Sequence, residues 1–280
     1  MQIGTDRDVF ARSLLELARD YKAAGLYDRA KESLQEYLGL IESLEAQVLL
    51  LEIHILLTDY EPAIECYKRI AKLSGESFQL EIALFYYLLY QRTKERSHLK
   101  AGLKHHQENF FINLEYAREL AESPKKGAAY LDIALASPHL VGELIYPLLE
   151  DAYGGELGSS FVKDRYQKRL TLFPRESITL EHFAFYLYEI EEQQEAFTLL
   201  YEARGAGQTS TAVATTLARL YYRDGDFDKA ASLLLECADS DNEYFECTSC
   251  GRRYQEHYLL CMECHTIGSV YERFIVPRRK

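Results

Sequence analysis

No stretch of this 280-residue chain approaches the roughly 18 consecutive apolar residues that a membrane-spanning helix needs. Its opening, Met1-Gln2-Ile3-Gly4-Thr5-Asp6-Arg7-Asp8, lacks the apolar core and cleavage site of a secretory leader. A reducing cytosol is therefore the expected compartment. Positive charge is scarce: 32 Lys and Arg stand against 44 Asp and Glu, a net charge of −12. That balance argues against general nucleic-acid binding, which needs a basic face to neutralise phosphates. Catalytic motifs are missing too. There is no P-loop, no Gly-x-Ser-x-Gly, no Gly-x-Gly-x-x-Gly and no His-x-x-x-His. His105-His106 are neighbours on an expected helix, about 100° apart, so they do not chelate one ion and belong on exposed surface. No enzyme is expected. Nor does any segment before the tail alternate apolar and polar residues over strand length.

Cysteine is also sparse, and its distribution is informative. Four of the six lie in the tail, as Cys247-Thr-Ser-Cys250 and Cys261-Met-Glu-Cys264 separated by ten residues. In a reducing compartment two such close pairs bind metal rather than each other. Each pair forms a knuckle with both sulfurs turned inward, and two knuckles complete a tetrahedron for one Zn or Fe ion. Gly251 follows the second ligand, where the turn needs an uncluttered backbone. Four thiolates do not distinguish Zn from Fe. The role expected is structural, because a tail of under 40 residues cannot build a sufficient core without a staple. His257 and His265 are expected around the site rather than in it. From Tyr244 onward six basic residues outweigh four acidic ones, so the tail is +2 and the rest −14. Cys66 and Cys237 sit alone in helical patterns and read as small buried hydrophobes.

The body is built of repeats. Leu14-x2-Leu17-Ala18-x2-Tyr21-x3-Gly25-x-Tyr27-x2-Ala30-x3-Leu34-x2-Tyr37 returns as Ala214-x2-Leu217-Ala218-x2-Tyr221-x3-Gly225-x-Phe227-x2-Ala230-x3-Leu234-x2-Cys237. The pattern is similar to the tetratricopeptide repeat, a hairpin of two helices about 34 residues long. Small Ala18, Ala30, Ala218 and Ala230 let paired helices approach. Gly25 and Gly225 close first helices. A second copy, with Tyr60 and Ala63, turns at Thr58-Asp59 without glycine. Between about 80 and 175 the copies are degenerate, and Tyr153–Ser160 reads as a loop or flexible joint. The fold class expected is all-α: an α-solenoid of roughly seven repeats over residues 5–241, followed by a rubredoxin-like, zinc-ribbon-type metal domain over 242–280. Solenoids of this kind hold peptides and proteins on their first-helix face. Arg19, Lys22, Arg219, Tyr222 and Arg223 are the candidate groove residues, with a basic character suited to an acidic segment.

Repeats joined to such a tail resemble the lipopolysaccharide assembly protein B family of Gram-negative bacteria. Leu17–Ala30 is similar to its first repeat, Glu81–Tyr86 to a later helix, and Tyr244–Cys261 to its metal domain. The resemblance implies a non-enzymatic adaptor at the cytoplasmic face of the inner membrane. It would bring the deacetylase that commits lipid A synthesis to a membrane AAA+ protease, and contact other lipopolysaccharide assembly proteins. It also implies that Cys247, Cys250, Cys261 and Cys264 are needed for function. Membrane association would come through an N-terminal anchor missing from this sequence, or through partners. The alternative readings are a rubredoxin-like redox protein and a zinc-ribbon nucleic-acid binder on a repeat scaffold.

Overall fold

The computed structural model describes residues 3–174, 176–205, 211–238, 244–247, 252–254 and 270–273, the strands by backbone alone. The chain divides into two compact units, Met1–Ile112 and Asn113–Lys280. The first unit holds α1 (Ile3–Ala23) with α2 (Tyr27–Leu40), α3 (Leu44–Leu56) with α4 (Tyr60–Ser74), and α5 (Gln79–Thr93) with α6 (Arg96–His105). Next come α7 (Phe110–Glu119) and α8 (Pro124–Ala136). The second unit continues through α9 (Gly142–Pro147), a π-helical turn (Leu148–Tyr153), α10 (Gly154–Leu157) and α11 (Ser159–Leu172). It closes with α12 (Ser177–Glu189) and α13 (Gln193–Gly205), then α14 (Thr211–Arg223) and α15 (Phe227–Ala238). Among the described residues, helices pair with their sequence neighbours in five hairpins, α1–α2, α3–α4, α5–α6, α12–α13 and α14–α15.

The alanines act as expected. Ala18, Ala30 and Ala63 have no exposed surface, so hairpin helices meet with nothing larger than a methyl between them. Larger groups fill the space between hairpins. Tyr60 and Tyr67 of α4 lie 5.8 and 5.6 Å from Phe85 of α5, in tilted aromatic contacts. Gly102 on α6 permits a still closer crossing. A Cβ there would stand 3.2 Å from the Ala83 carbonyl oxygen on α5.

One turn closes four of the first helices. After α1 the Leu26 N–H donates to the Tyr21 carbonyl and Gly25 N–H to Lys22. The same pair of bonds joins Asp59 to His54 and Thr58 to Ile55, Glu192 to Leu187 and Glu191 to Tyr188, and Asp226 to Tyr221 and Gly225 to Tyr222. This is the Schellman arrangement, which puts one residue in the left-handed region. Those residues are Gly25 (φ +72°), Thr58 (+57°), Glu191 (+66°) and Gly225 (+81°). A β-branched side chain at Thr58 is strained there. Thr58→Gly is expected to raise stability by about 1 kcal/mol, the left-handed penalty of an L-residue. A urea midpoint that stays put or falls would contradict this.

The stretch Tyr153–Ser160 corrects the sequence reading. It is no loop: Tyr153 ends the π-helical turn, Gly154–Leu157 is helical, and the chain bends at Gly158 (φ +87°) before α11. The glycines mislead because their helix propensity is poor. Gly154 is needed for contact, since a Cβ would come within 2.8 Å of Val162. Pro147 lacks an N–H to continue α9, and the π-helical turn begins at the next residue.

Three short strands follow the helices: β1 (Tyr244–Cys247), β2 (Arg253–Tyr254) and β3 (Val270–Arg273). They form an antiparallel sheet in the order β2-β1-β3, with Cys247 opposite Val270 and Glu246 opposite Arg253. No helix among the described residues is long and apolar enough to cross a membrane.

Candidate functional site

The structure places the five candidate groove residues on first helices, Arg19 and Lys22 on α1 and the others on α14. Their charges are already engaged. Arg19 pairs with Glu16 and with Glu45 of α3, and Lys22 with Glu52 of α3. Arg219 donates to Glu181 of α12 at 2.6 Å and stands 4.2 Å over the Phe185 ring. Arg223 pairs with Glu189 and lies 5.3 Å from the same ring. Tyr222 is 66% exposed and meets Phe227 edge-on. Similar bridges tie Arg92 to Glu61, Arg165 to Asp132 and Arg204 to Glu236, each about one repeat apart in sequence. Exposed pairs of this kind contribute about 0–1 kcal/mol each. Any acidic group approaching these faces would have to displace carboxylates such as Glu45 or Glu181.

A buried polar network lies in the second unit, unannounced by any motif. Val162, Tyr166 and Arg169 form one stripe on α11, and all are buried. The Arg169 side chain is 1% exposed. Its guanidinium grips both oxygens of Glu176, with Nε 2.7 Å from Oε2. Its Nη1 donates to the carbonyls of Leu135 at 2.9 Å and Ser137 at 2.6 Å, which the end of α8 leaves without helical partners. Phe173 packs 3.7 Å beneath it. Thr179 donates its hydroxyl to Glu176, so the Tyr146 hydroxyl must donate to Thr179. Tyr146 stacks 4.8 Å from Tyr166, whose hydroxyl donates to Glu150 in the π-helical turn. The sequence signal for Arg169 was its place on that stripe, the i, i+4, i+7 spacing of a buried helix face.

Burial lifts the Glu150 carboxyl to about 7, against a partial opposing pull from the Tyr166 hydrogen bond. The folded value lies above the unfolded one, so the neutral acid is the form that favours folding. Its contribution is complete below about pH 4.5 and fades as pH rises through 7. Glu150→Gln keeps the group neutral. It is expected to gain on the order of 2 kcal/mol over the parent at pH 8 and nothing at pH 5. Equal differences at the two pH values, by denaturant titration, would contradict the account.

His105 and His106 depart from the exposed surface expected of them. Both are half-buried at the end of α6. His105 stacks 5.7 Å from Tyr86 and bonds Gln79 at 2.6 Å, while His106 Nδ1 is buried without a partner among the described residues. Cys66 is buried as expected, and burial pushes its thiol up to about 11. Of the four tail cysteines, Cys247 has a described backbone at the end of β1, and Cys250, Cys261 and Cys264 lie outside the described residues. The side chain of Cys237 does too.

The fold and these faces define a protein of stacked helical hairpins, an interaction scaffold. The tetratricopeptide repeat family matches residues 44–77, the α3–α4 hairpin and the turn residues flanking it. No curated protein matches the chain. Among solved structures, a tetratricopeptide repeat protein from Parabacteroides merdae is similar at 13% identity, covering 83% of this chain and 93% of its own, with a TM-score of 0.38. Pseudomonas aeruginosa pilF is similar at 18% identity over 83% and 92%, with a TM-score of 0.31. A thermophilic repeat protein of Thermus thermophilus is similar at 18% identity over 82% and 90%, with a TM-score of 0.27. Scores this low say nothing about what the chain binds.

Proposed function

We propose that this chain is a non-enzymatic adaptor in the control of lipopolysaccharide synthesis. It brings the deacetylase that commits lipid A synthesis to a membrane AAA+ protease at the cytoplasmic face of the inner membrane, and it contacts other lipopolysaccharide assembly proteins. The repeat scaffold supports the adaptor part. The observation that carries the reading is the joining of that scaffold to a small antiparallel sheet in which Cys247 closes the central strand. Cys250 follows within the five residues that separate β1 from β2 in sequence.

The donor set fits one Zn or Fe ion, four thiols in two close pairs. Cys247, Cys250, Cys261 and Cys264 would hold it. The ion would supply the folding free energy that residues 242–280 are too few to supply by burial. The repeats would bind partners and the tail would supply a second surface.

The test is deacetylase turnover in cells lacking the chain and supplied with it whole or ended at Asp241. The whole chain should shorten the deacetylase half-life several-fold, and the truncated chain should leave it long. Equal turnover with both would contradict the proposal.

A further inference from the structure

Three side chains hold the π-helical turn Leu148–Tyr153 to its neighbours. Leu149 is fully buried. The Tyr153 hydroxyl donates to the Ala117 carbonyl of α7 at 2.9 Å, passing over Gly127 of α8, where a Cβ would run into it. The third is Glu150, which accepts the Tyr166 hydroxyl of α11. Of the three, Glu150 alone can lose a proton near neutral pH.

The backbone here is built to shift. The Gly154 N–H donates to the Leu149 carbonyl five residues back, the wide ring of a π-helix. Ordinary α-helical pairing differs from it by one residue. Pro147 precedes the turn, and Gly154, Gly155 and Gly158 follow it. A Cβ at Gly155 or Gly158 would meet nothing within 4 Å, and Gly158 already has φ +87°. These glycines can absorb a change of register.

The elements around Glu150 offer its charge no free cation from α11. That helix carries four: Lys163 pairs with Glu192 and Glu195, Arg165 with Asp132 and Asp164, Lys168 with Asp164, and Arg169 with Glu176. The turn itself adds Asp151, an anion that pushes the Glu150 carboxyl further up. Three phenols act with it: Tyr146 of α9, Tyr166 of α11 and Tyr186 of α12. His182 of α12 lies against Tyr146 at 4.8 Å. On α9 and α10, Glu143 and Glu156 are exposed. On α8, Tyr130 stacks on Tyr116, Asp132 is held by Arg165, and Lys125 and Lys126 are exposed at the helix start. On α7, Arg118 pairs with Glu115. Phenols and a second carboxylate suit a neutral acid at Glu150 and oppose its anion.

We propose that the π-helical turn is a proton-sensitive latch: with Glu150 protonated it stays closed on Tyr166, and with Glu150 ionised the segment Leu148–Gly158 is released as a unit. Ionisation leaves a carboxylate among phenols. Moving it into water relieves that, and the glycines let the backbone follow. Release lifts Gly154 from Val162 and breaks the Tyr166 bond. Val162 and Tyr166, both without exposed surface when the latch is closed, then become accessible on α11. The second unit thereby offers a partner a different surface as pH rises. This device rests on neither the tail nor the adaptor reading.

Hydrogen exchange of the full chain, read by mass spectrometry at pH 5 and pH 8 and corrected for the intrinsic effect of pH, tests it. In peptides covering 148–158, protection should fall roughly fiftyfold from pH 5 to pH 8, because the closed form titrates at about 7 and the open form at the ordinary 4.5. Glu150→Gln should remove that fall. Dilute urea should leave exchange in this segment unchanged while it speeds exchange in α12, since a local release exposes little surface. Tyr166→Phe takes away the hydroxyl that favours the anion, so the pH at which protection stops falling should move upward. A fall that is absent, a fall that persists in Glu150→Gln, exchange in 148–158 that follows urea as α12 does, or an unmoved profile in Tyr166→Phe would each overturn the proposal.

Discussion

Arg169→Ala should destabilise the second unit by about 3–5 kcal/mol, the cost of breaking a buried ion pair from one side. Three losses combine. The half-buried Glu176 carboxylate is left with Thr179 as its side-chain donor among the described residues. The Leu135 and Ser137 carbonyls at the end of α8 lose their donor. The packing of the guanidinium on Phe173 goes too. Removing both charges at once, as Arg169→Met with Glu176→Gln, should cost clearly less than the single alanine, because no charge is then stranded. Guanidinium titration followed by far-ultraviolet circular dichroism measures both. A loss under about 1 kcal/mol for the alanine variant would mean that water reaches the pair and that the network holds little together.

Cys247→Ser with Cys250→Ser should abolish metal binding altogether. Two thiolates cannot replace four, and a structural zinc site contributes on the order of 10–16 kcal/mol to a small domain. The tail should then become an early target of proteases. The helical signal should persist if the repeats, as proposed, fold independently of residues 242–280. If the helices melted along with the metal site, the division at 241/242 would be wrong.

Much of the body could be read from the sequence because the repeat puts its small residues and its turns at fixed places. Gly25 and Gly225 announced left-handed turns, and both have positive φ. Thr58 and Glu191 make the same turn with no such announcement, since hairpin packing outweighs a local penalty of about 1–2 kcal/mol. Register alone did not give burial. Leu34 and Leu234 occupy equivalent places, yet one is fully buried and the other 50% exposed. Burial at that position depends on what packs against the hairpin, which the pattern does not encode. The basic residues assigned to a groove lie on α1 and α14, but single-residue charge could not reveal Glu45, Glu52, Glu181 and Glu189 across from them. Arg169 was hidden because its partners include backbone carbonyls on another helix, and a carbonyl has no letter in the sequence.

X-ray absorption at the metal edge, on the intact chain purified without added metal, addresses the tail most directly. One ion per chain bound by four sulfurs is the expected result. A chain free of metal, or an ion whose ligands are mainly nitrogen and oxygen, would contradict it.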